Sequence, residues 1–279
     1  MAPPTLVELR ARRAQECRLA KDRALVTLED AEAFLHDRRV LTQTQDSSLP
    51  SLFAATHEPA YAPGKSGFGS WPKTKWWWGA ELASRPHVQP LKIHKGKLLL
   101  LSSEAAAVVD PLCRDALARA EDGELGAEAA AIVRHLKAAG ASAADEVRQE
   151  LALDAKAFRS AREKLEREGA LISRAFAGAS PEPSEARPGR AEVPQVHRHG
   201  STLARWDQSH PHRRKASLAS ALDELVLLAI RAAVVVQEDE PASWFTWSVP
   251  RDTVRRLLET RRLVRPAAGW VAALSAGGR

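Results

Sequence analysis

Residues Gly126–Phe176 read GAEAAAIVRHLKAAGASAADEVRQELALDAKAFRSAREKLEREGALISRAF, and this stretch decides the fold class. Ile132, Val133, Leu136 and Ala139 recur at helical spacing, and Gly140 supplies the stop. Ser142 followed by Asp145 is a capping-box pattern, and Val147 and Leu151 form the apolar stripe of a second helix. Asp154 is placed to cap a third helix, on which Phe158, Ala161 and Leu165 fall on one face before Gly169 ends it. Ala170–Phe176 then reads as a strand. Three helices with tight connections followed by a strand is the order expected of a winged helix, the helix-turn-helix variant that carries a β-hairpin.

On the third helix the inward stripe leaves Lys156, Arg159, Ser160, Glu163 and Arg167 on the opposite face, with Arg162 at the flank. Basic and polar residues in the first turns are where such a helix meets base edges and phosphates. Arg can fork to guanine, whereas Lys mainly binds phosphate. Arg174, on the following strand, is placed to reach an adjacent phosphate. The candidate DNA-binding set is therefore Lys156, Arg159, Ser160, Arg162, Arg167 and Arg174. The competing structural reading is a solvated face laced by Arg159–Glu163 and Glu163–Arg167 pairs.

Working outward, residues 1–103 form a mixed α/β region. Leu6–Ala24 reads as a charged helix, and Thr27 with Asp30 opens a second helix over Leu28–His36. A short extended stretch then leads through Gln43-Thr44-Gln45-Asp46 into a polar loop. Pro59–Pro72 reads as loop, followed by Trp76, Trp77 and Trp78, the basic run Lys92–Lys97 and an apolar run. Residues 104–178 hold the winged helix. Residues 179–216 are rich in Pro and Ser and then basic, a linker or wing with a basic loop. In 217–279 a long apolar helix over Leu218–Val236 is followed by Val254, Leu257 and Leu258 on one face and a hairpin over Pro266–Gly269. LEREGALI at Leu165 recurs loosely as LETRRLV at Leu258, which suggests a second winged-helix-like unit. The expected class is mainly α with short β-hairpins (α+β), built as tandem winged-helix modules.

Composition fits this. The chain has 279 residues, 44% of them hydrophobic, with a net charge of +6 and eight Trp, which suits a folded protein with a polyanionic partner. Cys17 and Cys113 match no zinc or disulfide pattern. Neither a signal peptide nor a membrane span is read, so a cytoplasmic, non-membrane protein is expected. A monomer that needs no cofactor or metal is expected as well. His197-x-His199 and His210-x-His212 could pair on a metal, but the surrounding Arg198, Arg213, Arg214 and Lys215 disfavour a cation. Gly64-Lys65-Ser66 lacks the upstream Gly of a phosphate-binding loop, since Pro59 stands there. The Trp cluster is read as packing, with base stacking as the alternative.

The order of VTLEDAEAFLHDRRVLTQTQDSSLPSLFAA, WWWGAEL, KIHKGKLLLLS, the winged helix and ARWD resembles the AlkZ/YcaQ group of winged-helix DNA glycosylases. The resemblance implies tandem winged helices, duplex DNA as partner and cleavage of the N-glycosidic bond of alkylated or crosslinked bases. The family signature, Gln-x-Gln or Gln-x-Asp, falls on Gln43 and Gln45 as the implied catalytic pair, with Thr44 where the family has an apolar residue. On an extended backbone both amides would share a face. An N7-alkylated purine is already a good leaving group, so positioned amides could orient water and stabilise an oxocarbenium-like sugar. The alternative from another class is a non-catalytic regulator or a protein-interaction module, with the helix over Leu218–Val236 serving as dimer helix or core.

Overall fold

The computed structural model describes residues 4–59, 73–175 and 200–274. Gly64-Lys65-Ser66, His197, His199 and Phe176 lie outside them. After an N-terminal helix α1 (Leu6–Glu16) come α2 (Leu28–Arg38), β1 (Val40–Thr42), α3 (Leu52–Ala55), α4 (Lys73–Ser84), β2 (Val88–His94) and β3 (Lys97–Ser102). A long helix α5 (Ser103–Glu121) leads to α6 (Ala127–Ala139), β4 (Ser142–Ala143), α7 (Ala144–Glu150), α8 (Ala155–Glu168), β5 (Leu171–Ala175) and β6 (Ser201–Arg205). A short helix α9 (Trp206–Ser209) precedes α10 (Leu218–Ala233), β7 (Val235–Gln237), a 3-10 turn (Glu240–Ser243), α11 (Thr253–Glu259), β8 (Leu263–Ala267) and β9 (Trp270–Ala273). The protein is thus mixed α and β, with small antiparallel sheets.

The same strand order recurs in each of the three sheets: β1-β3-β2, β4-β6-β5 and β7-β9-β8. Each sheet pairs a lone strand, which follows a helix, with the last strand of a later hairpin. The N-terminal region, read from sequence only as mixed α/β, therefore has the strand order of the other two. The strand β6 lies in the stretch read as linker and basic loop. Its inward positions are Leu203 and Arg205, and a buried Arg breaks the alternating pattern by which strands are recognised. Arg205 is tolerated because it pairs with Glu121 and with Asp207 at 2.8 Å and donates to the Val133 carbonyl at 3.0 Å.

Local signals account for most helix ends. The Thr27 hydroxyl accepts from the Asp30 amide, and the Asp30 carboxylate accepts from Thr27 N–H, which closes a capping box. Asp154 accepts from Lys156 and Ala157 amides, and α8 ends at Gly169. Two expectations are corrected. Ser142 does not cap α7: it is in β4 and its hydroxyl donates to the Gly140 carbonyl, while Ala143 takes the cap position. The first helix stops at Glu16, because Arg18 turns at φ 56° and a separate 3-10 turn follows over Lys21–Arg23.

The largest core gathers α5, α10 and the β2–β3 hairpin around Trp206, Trp244 and Trp247. Helix α10 ends at Ala233 rather than Val236 and is buried from Leu225 through Ile230 and at Ala232 and Ala233, so it is a central core helix. The segments α2–β3, α5–β6 and α10–β9 form the first, second and third units, one around each sheet. Separate apolar clusters fill the first, through Phe34, Leu41, Leu82 and Leu100, and the second, through Ile132, Val133, Phe158 and Leu165. Helix α1 packs on the third sheet. Leu9 and Cys17 join Val234, Val235 and Ala272, and the Arg10 guanidinium lies 4.6 Å from the Trp270 ring centre.

Candidate nucleic-acid interface

Helix α8 buries Phe158, Ala161 and Leu165 as its apolar stripe requires. Lys156, Arg159, Ser160, Glu163, Lys164 and Arg167 are exposed. Among the described residues none of the four cations in that set has a carboxylate partner, so the Arg159–Glu163 and Glu163–Arg167 pairs do not form. Arg162 and Arg174 behave differently from the rest of the predicted set. Arg162 is folded back, donating to Glu166 at 2.9 Å and to the Ser173 hydroxyl at 3.0 Å. Glu166 is 2% exposed and also takes Lys92. Burial pushes its pKa up, but Lys92 and Arg162 more than offset this, and the net shift is downward.

Arg174 is turned into the protein rather than out to a phosphate. Its guanidinium donates to the carbonyls of Ala83, at the end of α4, and Val88, at 2.5 and 3.0 Å, and to the Gln89 side chain at 2.8 Å. The helix end is the negative pole of α4. Among the described residues no carboxylate pairs with it, and burial lowers its pKa. Arg174 is the clamp between the first and second units. Arg174→Ala is expected to cost about 2 kcal/mol by leaving buried acceptors without a donor. Chemical denaturation would show the loss, whereas a residue serving only as a phosphate contact would leave stability unchanged.

The exposed face of α8 runs into the tip of the β2–β3 hairpin. Gly96 there has φ +75°, and a Cβ at that position would lie 3.1–3.3 Å from the Arg167 guanidinium. A side chain would thus be both strained and obstructed. Arg167 rests on the turn, with Lys95 and Lys97 on either side of Gly96. These lysines, noted in the sequence only as part of a basic run, are brought beside α8 by the fold.

The Gln43–Asp46 segment meets the same tip, but not as an extended strand. The Thr42 hydroxyl donates to the carbonyls of Thr44 and Pro50 at 2.9 and 3.1 Å, and Asp46 N–H donates to the Thr44 carbonyl at 3.1 Å. These bonds bend the chain between Gln43 and Gln45, so the side-chain alternation of an extended strand does not apply to them. Gln43 is half-buried against α4. A Cβ on Gly79 would lie 2.9 Å from its Nε2, so the glycine after the Trp triplet leaves the notch that the amide fills. Gln45 is exposed. Lys97 Nζ lies 2.5 Å from Asp46 Oδ1, and Lys95 donates to the Asp46 carbonyl at 2.9 Å. Burial pushes the Asp46 carboxyl up, but Lys97 and Thr44 outweigh it and hold the group low, hence ionised.

The rest of this loop is held from three sides. Ser48 N–H donates to Glu240 at 2.6 Å, and the Ser48 carbonyl accepts from Arg13 at 3.0 Å. The Ser47 hydroxyl lies 3.3 Å from Nε2 of His94, a fully buried residue whose pKa falls to about 4 through burial and then the charge of Lys95. Arg13, His94 and Glu240 were not legible as site residues. They lie 35 to 192 residues from their loop partners, and no local pattern links them.

The remaining candidates have other roles. His210 stacks on Trp206 at 3.8 Å between ring centres, and no cluster of His, Cys, Asp or Glu suited to a metal occurs among the described residues. The Trp triplet lies on helix α4, where Trp78 is buried and Trp77 is 38% exposed. An open groove of about 620 Å³ in the third unit is lined by Glu238, Asp239, Arg251 and Arg255 among others, and none of the predicted catalytic or DNA-binding residues borders it. No helix among the described residues is long and apolar enough to cross a membrane. Comparison with protein-family models, with curated proteins and with solved structures found no match.

Proposed function

We propose that the three repeated units are winged helices in tandem and that the chain binds duplex DNA. In this reading α8 enters the major groove and the β2–β3 tip lies on the backbone beside it. The observation that carries it is the pairing state of the charges. Lys156, Arg159, Lys164 and Arg167 are exposed on one helix without acidic partners among the described residues, whereas Arg162, Arg174 and Arg205 are taken up inside the fold. A surface kept for solubility alone would more commonly be interleaved with acids.

The test is duplex binding by fluorescence anisotropy across a salt series. Binding should weaken steeply with salt. Arg159→Ala should lose about 1–3 kcal/mol of affinity if it forks on a base, and Lys156→Ala should flatten the salt slope by about one unit. Absence of binding at low ionic strength would overturn this reading and leave a protein-interaction module.

An enzymatic role attaches to the Gln43–Asp46 segment. The exposed Gln45, on a loop otherwise fixed by Arg13, His94, Lys95 and Glu240, is preorganised to act at a sugar or an extruded base. We therefore propose hydrolysis of the N-glycosidic bond of an N7-alkylated purine, with Gln45 facing the reacting centre and Gln43 holding the loop on α4. Base release from alkylated duplex that is lost in Gln45→Ala supports this. Binding without release would leave a non-catalytic DNA-binding protein.

A further inference from the structure

The basic hairpin tip already holds an anion. Lys97 donates to one oxygen of the Asp46 carboxylate at 2.5 Å and the Thr44 hydroxyl donates to the other. Lys95 sits on the carbonyl of the same residue at 2.9 Å. A carboxylate and a phosphodiester both carry one negative charge on a pair of equivalent oxygens, so donors arranged for one suit the other. The place is open on one side, with Lys97 54% and Asp46 25% exposed. The other nearby acids are engaged elsewhere: Glu166 takes Lys92 and Arg162, and Glu240 takes the Ser48 amide and the Trp244 indole. Arg167, which has no carboxylate partner among the described residues, rests on Gly96 between the two lysines.

We propose that Asp46 is an internal stand-in for a DNA phosphate. On binding, a backbone phosphate takes over Lys97 and the Thr44 hydroxyl, and the Asp46 carboxylate is released to solvent. The proposal rests on the DNA-binding reading above. It makes Lys97 and Thr44 phosphate contacts and Asp46 a competitor of the ligand, so removing the Asp46 charge strengthens binding.

A double-mutant cycle on duplex affinity tests this, with thermal melting as the check on folding. Asp46→Asn should tighten binding about two- to fivefold at low salt, the range covered by an exposed ion pair. In a Lys97→Met background the same substitution should keep no more than the general gain from removing one negative charge. Glu29→Gln, at an exposed acid of α2 that the proposed interface does not include, reports the general gain from removing one negative charge, and that gain should persist without Lys97. Equal gains for Asp46→Asn with and without Lys97 would overturn the proposal while leaving DNA binding intact. If Asp46→Asn fails to fold, Asp46→Ser enters the same cycle. Absence of duplex binding by the unsubstituted chain would instead remove the reading on which the proposal rests.

Discussion

Replacing Asp110 with alanine is expected to lower the stability of the folded chain by about 3–5 kcal/mol, the cost of removing one partner from a buried charged network. Asp110 lies in α5, is 2% exposed, and accepts from the Trp206 indole at 2.8 Å, from Arg114 at 2.9 Å and from the Arg214 amide at 2.9 Å. Trp206 is itself fully buried, so the substitution strands an indole N–H, a backbone N–H and a guanidinium together. The loss should reach beyond the second unit, because Arg214 continues to Glu224 on α10 at 2.6 Å. Asp110→Asn keeps an acceptor for the indole but loses the charge facing Arg114, and should fall between. Urea denaturation of the three proteins would check the order. Equal stability of Asp110→Ala and the parent would show that the network contributes nothing.

Acidification is the second large effect. His94 is buried neutral, with a folded pKa near 4, while in the unfolded chain it takes a proton near pH 6.5. Above that value neither state binds the proton and His94 adds no pH dependence. Below it the unfolded state binds more protons, so stability falls between about pH 6.5 and pH 4 by roughly 3 kcal/mol for this group. His210, also lowered, chiefly by burial, adds to the loss in the same direction. Asp46 and Glu166 have lowered pKa values. Their contribution is present above the carboxylates' unfolded values and disappears at more acid pH. The His94 share is isolated by His94→Leu, which should flatten the stability profile between pH 6.5 and 5. A profile unchanged by that substitution would place the acid sensitivity elsewhere.

The helices of the second unit were legible because each signal was local. Asp154 caps, Phe158, Ala161 and Leu165 face inward, and Gly169 stops the helix. The matching strand order at the N-terminus was not. There the third helix carries three consecutive Trp, which obscures the helical period, and β2 contains Pro90. In the third unit a 3-10 turn over Glu240–Ser243 lies between β7 and α11. For the candidate site, the exposed residues of α8 followed from its period, but the fates of Arg162 and Arg174 did not. Arg162 turns to Glu166, one turn along the same helix, and to Ser173 on the next strand, whereas the acceptors of Arg174 come from the end of α4 and from β2, 86 to 91 residues away. Gln43 and Gln45 were visible as residues, yet the bend that separates them is set by bonds from Thr42 and Asp46 that compete with an extended chain.

The seating of α1 on the third sheet has a consequence for synthesis. The Cys17 thiol donates to the carbonyl of Ala232, 215 residues away, and Leu9 packs among Val234, Val235 and Ala272. At translation rates of about 5–20 residues per second, that partner emerges roughly 10–40 s after the helix that needs it. Throughout that interval the N-terminal helix has no apolar surface of its own sheet to cover, and its Arg13 cannot yet hold the loop in its final setting. Translation therefore orders the assembly: the segments between can pack as they emerge, and α1 is seated only after the third sheet has been made.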